Sequence, residues 1–369
     1  MFKRLHSLIV KEFLAVLQDR KSRFVLIVPP LIQLFIFAFA ATLDVKNVSL
    51  GILNKDEGKL SYELTQRFQG SPFFTRVQYL RSVEEIKPFV DLQKAVVVLH
   101  IDDQFSRNLL AKKPAQVQLI LDGRKSNTAQ IVQGYALKIV EQYNADLAAD
   151  LQLSTTTTYL VPRNWFNPNL IYTWFTVPGL IGILTMLISL MLTSLSIARE
   201  RELGTFEQLL VSPLRPIDIL IGKSIPGMVI GMAEGTVILL AAVFCFQIPF
   251  TGSLAALYLA MFVFVCSIVG IGLFLSALSK TQQQALLLVF VFMSPAVSLS
   301  GFATPIENMP SWLQPVTLAN PLRFFLVILR GVFLKQMPFS MVLANVYPIA
   351  IIAFFTLTLS TLFFRKRLE

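Results

Sequence analysis

The sequence predicts a mostly α-helical membrane protein. It has six transmembrane helices, an N-terminal interfacial helix, and an external α/β domain between the first and second spans. Three observations carry this expectation. Hydrophobic residues make up 54% of the 369 positions and charged residues only 15%, against roughly a quarter charged in soluble domains. Apolar runs of about twenty residues recur, each long enough at about 1.5 Å per residue to cross a hydrocarbon core of about 30 Å. Between the first two runs lies a polar region, residues 44–171, in which strand-like and helix-like patterns alternate.

Residues 1–23 open the chain as a cytoplasmic amphipathic helix. Phe2, Leu5, Ile9, Phe13 and Val16 recur at helical spacing, with Lys3, Arg4 and Lys11 elsewhere around the helix. Such a helix lies in the headgroup plane with its apolar side toward the lipid tails. The first span follows over residues 24–43, and Pro29-Pro30 near its start predicts a kink or the point where the surface helix turns inward. It lacks an evident cleavage site and reads as an uncleaved anchor.

In the polar region, Val48–Leu53, Thr75–Leu80, Ala95–Leu99 and Gln116–Leu121 read as strands. Gly58–Phe68, Ser82–Phe89, Asp103–Ala111 and Thr128–Ala149 read as helices, the last capped by Ser126 or Asn127. Asp102-Asp103 suits the start of a helix rather than catalysis. The Thr-rich run from Ser154 to Tyr159 reads as the linker back to the membrane.

Five further spans are expected over residues 172–369, at Tyr172–Ile197, Ser224–Ile248, Ser253–Leu278, Ala285–Gly301 and Met341–Phe364. Residues 302–340, rich in proline, suit short helices that dip into the outer leaflet without crossing. Trp165, Tyr172, Trp174 and Trp312 suit an interfacial aromatic belt. The formal charge of +10 is concentrated beside the outermost spans, with Lys3, Arg4, Lys11, Arg20, Lys21 and Arg23 before the first and Arg365, Lys366 and Arg367 after the last. That distribution places both termini in the cytoplasm by the positive-inside rule, and it speaks against nucleic-acid binding. An even number of spans agrees with it.

No catalytic set or metal-ligand spacing stands out. The only histidines, His6 and His100, lie far apart, and the only cysteines, Cys245 and Cys266, fall inside apolar spans as expected of small buried hydrophobes. Gly222-Lys223-Ser224 resembles the end of a phosphate-binding loop, but Ile217 stands where that loop needs glycine, so no nucleotide site is expected. In the third span, Gly227, Gly231 and Gly235 form a stripe at every fourth residue, suited to close helix packing or to a lipid or substrate groove. Glu234 lies beside that stripe, where an intramembrane acid marks either a pathway or a satisfied structural group.

The most informative segment is residues 198–223, charged and amphipathic between two apolar spans. Its opening, ARERELGTFEQLLVSPL over residues 198–214, resembles the cytoplasmic signature of type-two ABC exporter permeases. LSGFATP at 299–305, NMPSWLQ at 308–314 and NPLR at 320–323 resemble the same family's external segment before its last span. The likeness is greatest to bacterial multidrug-type permeases, although the large external domain departs from the short-loop members.

The resemblance implies a permease subunit that moves amphipathic, drug-like or lipid-like molecules across the bacterial inner membrane. It implies a second permease chain, identical or related, an ABC ATPase subunit that holds ATP and magnesium, and a periplasmic adaptor. No cofactor is expected in this chain. Arg199, Glu200, Arg201, Glu202, Gly204, Thr205, Glu207, Gln208, Leu209, Leu210 and Pro213 would couple to the ATPase. Gly301, Pro305, Pro310, Asn320, Pro321 and Arg323 would belong to an external gate. A second reading makes the chain a membrane-anchored ligand-binding or sensing protein that uses its external α/β domain.

Overall fold

The computed structural model describes residues 2–18, 20–40, 48–92, 94–122, 126–150, 167, 171–206 and 215–366. The chain divides into two compact units, Met1–Ala41 with Arg163–Glu369, and Thr42–Pro162.

The first unit begins with α1 (Phe2–Gln18) and α2 (Arg20–Ala40). On α1 the most buried positions are Leu8 and Glu12, beside the apolar stripe rather than at its centre. α2 includes Pro29 and Pro30 within its length.

The second unit holds four strands, β1 (Val48–Asn54), β2 (Phe74–Tyr79), β3 (Val97–Ile101) and β4 (Val117–Leu121), with α3 (Lys59–Gln69), α4 (Ile86–Asp91), α5 (Phe105–Leu110) and α6 (Ser126–Asp150). β1 pairs in parallel with β2 and β3, and β3 pairs antiparallel with β4, giving the order β2-β1-β3-β4. Alternate residues of a strand face opposite sides. Leu50, Ile52, Leu99 and Ile101 therefore join Leu64 and Phe68 of α3 and Val132 and Tyr143 of α6 in one core. Leu53 and Val98 pack with Ile86 of α4 on the other side. Leu50, Ile52 and Leu99 are each 0% exposed, and burial of such a side chain contributes about 1.5–3 kcal/mol. All the expected strands and helices form, with shifted ends. The segment expected as Ser82–Phe89 divides into a 3-10 turn, Val83–Glu85, and α4. α6 spans Ser126–Asp150, so Asn127 lies inside it. The Thr-rich linker lies outside the described residues.

The first unit resumes with α7 (Tyr172–Glu202), α8 (Pro216–Leu240), α9 (Leu254–Leu278), α10 (Gln282–Ser298), α11 (Pro321–Leu334) and α12 (Phe339–Lys366). α8 continues through a π-turn, Ala241–Cys245. Among the described residues, four helices are long and apolar enough to cross a membrane: Tyr172–Glu202, Pro216–Cys245, Leu254–Leu278 and Phe339–Phe364. The first and fifth expected spans appear as shorter apolar helices, Ile27–Ala38 within α2 and Gln282–Ser298. α10 stops at Ser298 because the chain turns at Gly301, whose φ of +82° suits glycine. α7 is the hub, packing against α2, α8, α9, α10 and α11. Cys245 is exposed, unlike the buried hydrophobe expected, and Cys266 is half-buried.

Candidate functional site

The described parts of the charged segment belong largely to helices. Arg199 to Glu202 form the last turn of α7, and Pro216 to Lys223 form the first turns of α8. α8 therefore starts eight residues before the span expected at Ser224. Its first turn is favoured by Pro216 at the position that needs no N–H donor, and by Asp218, whose carboxylate accepts from the Arg215 amide at 3.3 Å. α7 closes in a Schellman motif. The Gly204 amide donates to the Arg201 carbonyl at 3.2 Å and the Thr205 amide to the Glu200 carbonyl at 3.0 Å. Gly204 has φ of +71°, so a glycine is needed at this turn. Glu207, Gln208, Leu209, Leu210 and Pro213 lie outside the described residues.

The charges of this turn reach neighbouring helices. Arg201 Nη1 donates to the carbonyls of Ala277 at 2.8 Å and Ser279 at 3.0 Å. A cation there satisfies the negative C-terminal end of α9. Glu202 Oε2 accepts from the Gln282 amide at 2.7 Å, and this carboxylate complements the positive N-terminal end of α10. Arg201 also stands over the Phe206 ring, with Cζ 4.9 Å from its centroid, and Phe206 meets Phe364 of α12 edge to face. The last turn of α7 is thus tied to α9, α10 and α12 together.

Glu200 takes a different path, inward. It is buried, and joins Lys11 and Glu12 of α1 and Lys223 of α8. Lys223 Nζ lies 3.0 Å from Glu12 Oε1, 2.9 Å from Glu200 Oε2 and 3.2 Å from the Ser196 carbonyl. The ammonium donates hydrogen bonds to Glu12 Oε1 and the Ser196 carbonyl, and meets Glu200 Oε2 as an ion pair. Lys11 Nζ reaches Glu200 Oε1 at 2.9 Å and approaches Glu12 at 3.9 Å. Burial disfavours the charged form of Lys11. The Glu200 hydrogen bond and the charges of Glu200 and Glu12 outweigh that effect and hold its pKa above the usual lysine value. Two lysines balance two glutamates, so the cluster is neutral overall. It latches α1 to the helix on each side of the charged segment. Leu8 of α1 rests against Gly222 of α8, where a Cβ would strike it.

The glycine stripe faces α7. A Cβ at Gly227 would meet Thr193, one at Gly231 would meet Ser189, and one at Gly235 would meet Met261 and Thr185. Thr185, Ser189 and Thr193 form a matching stripe of small residues on α7, so the glycine face serves helix packing. Glu234 is half-buried, and its Oε1 has no hydrogen-bond partner among the described residues.

In residues 302–340, Pro305 and Pro310 are exposed and flank a 3-10 turn, Ile306–Asn308. Asn320 is the N-cap of α11: its Oδ1 accepts from the Leu322 amide at 3.1 Å and its Nδ2 donates to the Ala296 carbonyl of α10 at 2.6 Å. Pro321 occupies the first helical position. Arg323 bonds the Thr317 hydroxyl and reaches the Gln314 carbonyl at 3.5 Å. α11 packs along α7 through Gly179 and Gly182, which face Leu326 and Leu322 respectively. Of the expected aromatic belt, Tyr172 and Trp174 are half-buried at the start of α7, Trp312 is exposed, and Trp165 lies outside the described residues.

The structure adds residues that the sequence reading did not select: Lys11, Glu12 and Lys223. Glu12 is a charge beside the apolar stripe of α1, and Lys223 a charge entering an apolar run. Each carried the signal of a buried partner without naming it.

The chain matches the family described as ABC-2 family transporter protein over residues 20–362. It is 45% identical over 367 residues to the probable multidrug ABC transporter permease YbhR of Escherichia coli strain K12, covering 100% of both chains. It is 33% identical over 341 residues to the probable multidrug ABC transporter permease YbhS of the same strain, covering 90% of this chain and 89% of the relative. It is 27% identical over 369 residues to the inner membrane transport permease YhhJ, also from that strain, covering 99% and 97%. With apolar helices of spanning length and a match across nearly its whole length, this chain belongs to the ABC-2 transporter family as a membrane permease.

Proposed function

We propose that the chain is the permease of an ATP-driven exporter that carries amphipathic small molecules across the bacterial inner membrane. A separate ABC ATPase subunit holds ATP and magnesium and docks on residues 198–223. A second permease chain, identical or related, completes the pathway. Both termini face the cytoplasm, residues 44–171 face outward, and a periplasmic adaptor meets them there. The multidrug wording in the names of YbhR and YbhS supports the cargo class.

The observation that carries this reading is the continuity of α7. This 31-residue helix ends in the charged turn, and its opening turns pack against α11 and Phe302. A displacement applied at Arg199–Glu202 is carried along one rigid element to the proposed external gate. The charge cluster makes α1 move with it, and Arg201 and Glu202 bring α9 and α10 along.

Purification of the full chain in mild detergent, with identification of every subunit retained, tests the reading. An ATP-hydrolysing subunit is expected to co-purify, and Glu207→Lys with Gln208→Lys is expected to release it while the permease elutes unchanged. Retention of no ATPase by the unaltered chain, or export unaffected by the double variant, would overturn it.

A further inference from the structure

Arg330, near the C-terminal end of α11, has no counter-charge among the described residues. Its Cζ stands 3.9 Å from the centroid of the Phe175 ring of α7. Its Nη1 and Nη2 approach the Gly301 carbonyl at 3.4 and 3.5 Å, the outer limit of a hydrogen bond. Its Nε is buried and has no partner among the described residues. Among those residues no carboxylate lies within ion-pair distance of it. Arg323, about two turns earlier on the same helix, differs: it bonds the Thr317 hydroxyl and the Gln314 carbonyl and lies over Phe324.

A guanidinium offers five N–H donors in a planar fork that matches carboxylate or phosphate oxygens. An unsatisfied buried donor is costly, and in a native structure it calls for an occupant. The aromatic face of Phe175 stabilises the cation without using any of its N–H groups. Tyr172 lies next to Phe175, with ring centroids 6.2 Å apart, and Phe302 and Leu326 both touch Gly179.

We infer that Arg330, Phe175 and the Gly301 turn form a binding site for an anionic amphiphile, whose phosphate or carboxylate is held by the guanidinium fork and whose alkyl chain lies against Phe302 and Leu326. The occupant is either the headgroup of an anionic membrane lipid or a cargo molecule of the same chemistry. Its bearing on cargo rests on the exporter reading above, whereas the binding is measured without ATPase or transport.

The test uses the full-length chain in phosphatidylcholine nanodiscs, with Trp165→Phe and Trp312→Phe leaving Trp174, the neighbour of Phe175, as the only tryptophan. Dodecyl phosphate is expected to change its fluorescence saturably, and dodecyltrimethylammonium to give no saturable change. Arg330→Gln is expected to weaken dodecyl phosphate binding about 10- to 100-fold, in line with loss of a charged hydrogen bond, while Arg330→Lys, which keeps the charge, stays closer to the unaltered chain. Competition by nanodiscs containing phosphatidylglycerol assigns the site to a lipid headgroup. Absence of competition assigns it to a cargo-like anion. Inorganic phosphate alone is expected to bind more weakly than dodecyl phosphate. No saturable response from the unaltered chain, equal affinity in Arg330→Gln, or an equal response to the cationic amphiphile would overturn the inference.

Discussion

Lys223 and Arg330 are both cations held within the helical unit, and their surroundings differ in kind. Their contacts on α7, Glu200 and Phe175, are separated by about 37 Å of helix at about 1.5 Å per residue. Lys223 has a side chain 0% exposed and meets two carboxylates and a carbonyl. Arg330 meets an aromatic face and one carbonyl at the limit of hydrogen bonding. A buried charge neutralised within its own chain holds helices in register, and its removal strands its partners. A half-buried charge with no carboxylate beside it among the described residues is available to an outside anion. One helix thus carries a structural ion cluster near one end and a recognition group near the other.

The sharpest way to break this contrast is to remove each cation. Lys223→Met leaves Glu12 and Glu200 facing each other without their shared ammonium, and is expected to cost about 3–5 kcal/mol, the range for stranding a buried charge. Arg330→Met strands no carboxylate and is expected to cost under about 1 kcal/mol. Thermal midpoints of the two variants in the same detergent give the comparison. Equal losses would remove the distinction between the sites.

The helix that joins them supplies the next test. Gly231→Ala drives a methyl group into Ser189, and overpacking of this kind costs about 1–3 kcal/mol. Ser189→Gly in the same chain is expected to recover most of the loss, since it opens the space the methyl needs. A double-mutant cycle on thermal midpoints measures the coupling, and additive losses would mean that α7 and α8 do not depend on this contact.

The smallest effect belongs to a half-buried charge in the α/β unit. Burial alone would raise the Asp56 pKa, but hydrogen bonds from Ser106, Ser61 and the Ser106 and Gly58 backbone lower it below the usual carboxylate value. A depressed folded pKa contributes stability above the unfolded value of about 3.9, and that contribution is lost as pH falls through the folded value. The thermal midpoint of this unit is therefore expected to fall below about pH 4, and Asp56→Asn is expected to flatten that fall. An unchanged acid limb in Asp56→Asn would assign the pH dependence to other groups.

Much of the fold was legible because its signals are local. Val48, Leu50 and Ile52 alternate with less apolar neighbours as a strand requires, and that pattern needs only chain neighbours to be read. The same holds for the apolar runs of α7, α9 and α12, and for Gly204 at the end of a charged turn. The expected boundary at Ser224 failed for a physical reason: Lys223 looked like the polar edge of a span, but neutralisation by Glu12 and Glu200 allows α8 to start at Pro216 and carry the lysine inside. The candidate site divided in the same way. Asn320 and Pro321 were selected for an external gate, but the cap and first-turn positions they hold in α11 were not read from the sequence. Glu200, Arg201 and Glu202 were selected for their charge, but which groups those charges meet was not.

By itself, then, the sequence determined the membrane character of the chain, the alternating strands and helices of residues 44–171, and the charged turn between apolar helices, because hydrophobic periodicity and turn chemistry act over a few neighbouring residues. Only the tertiary structure decided that Lys223 would meet Glu12, 211 positions away, and that Arg330 would meet an aromatic ring instead of an acid. Charge pairing acts over a few ångströms in space, and the packing of α1, α7, α8 and α11 determines which groups come that close.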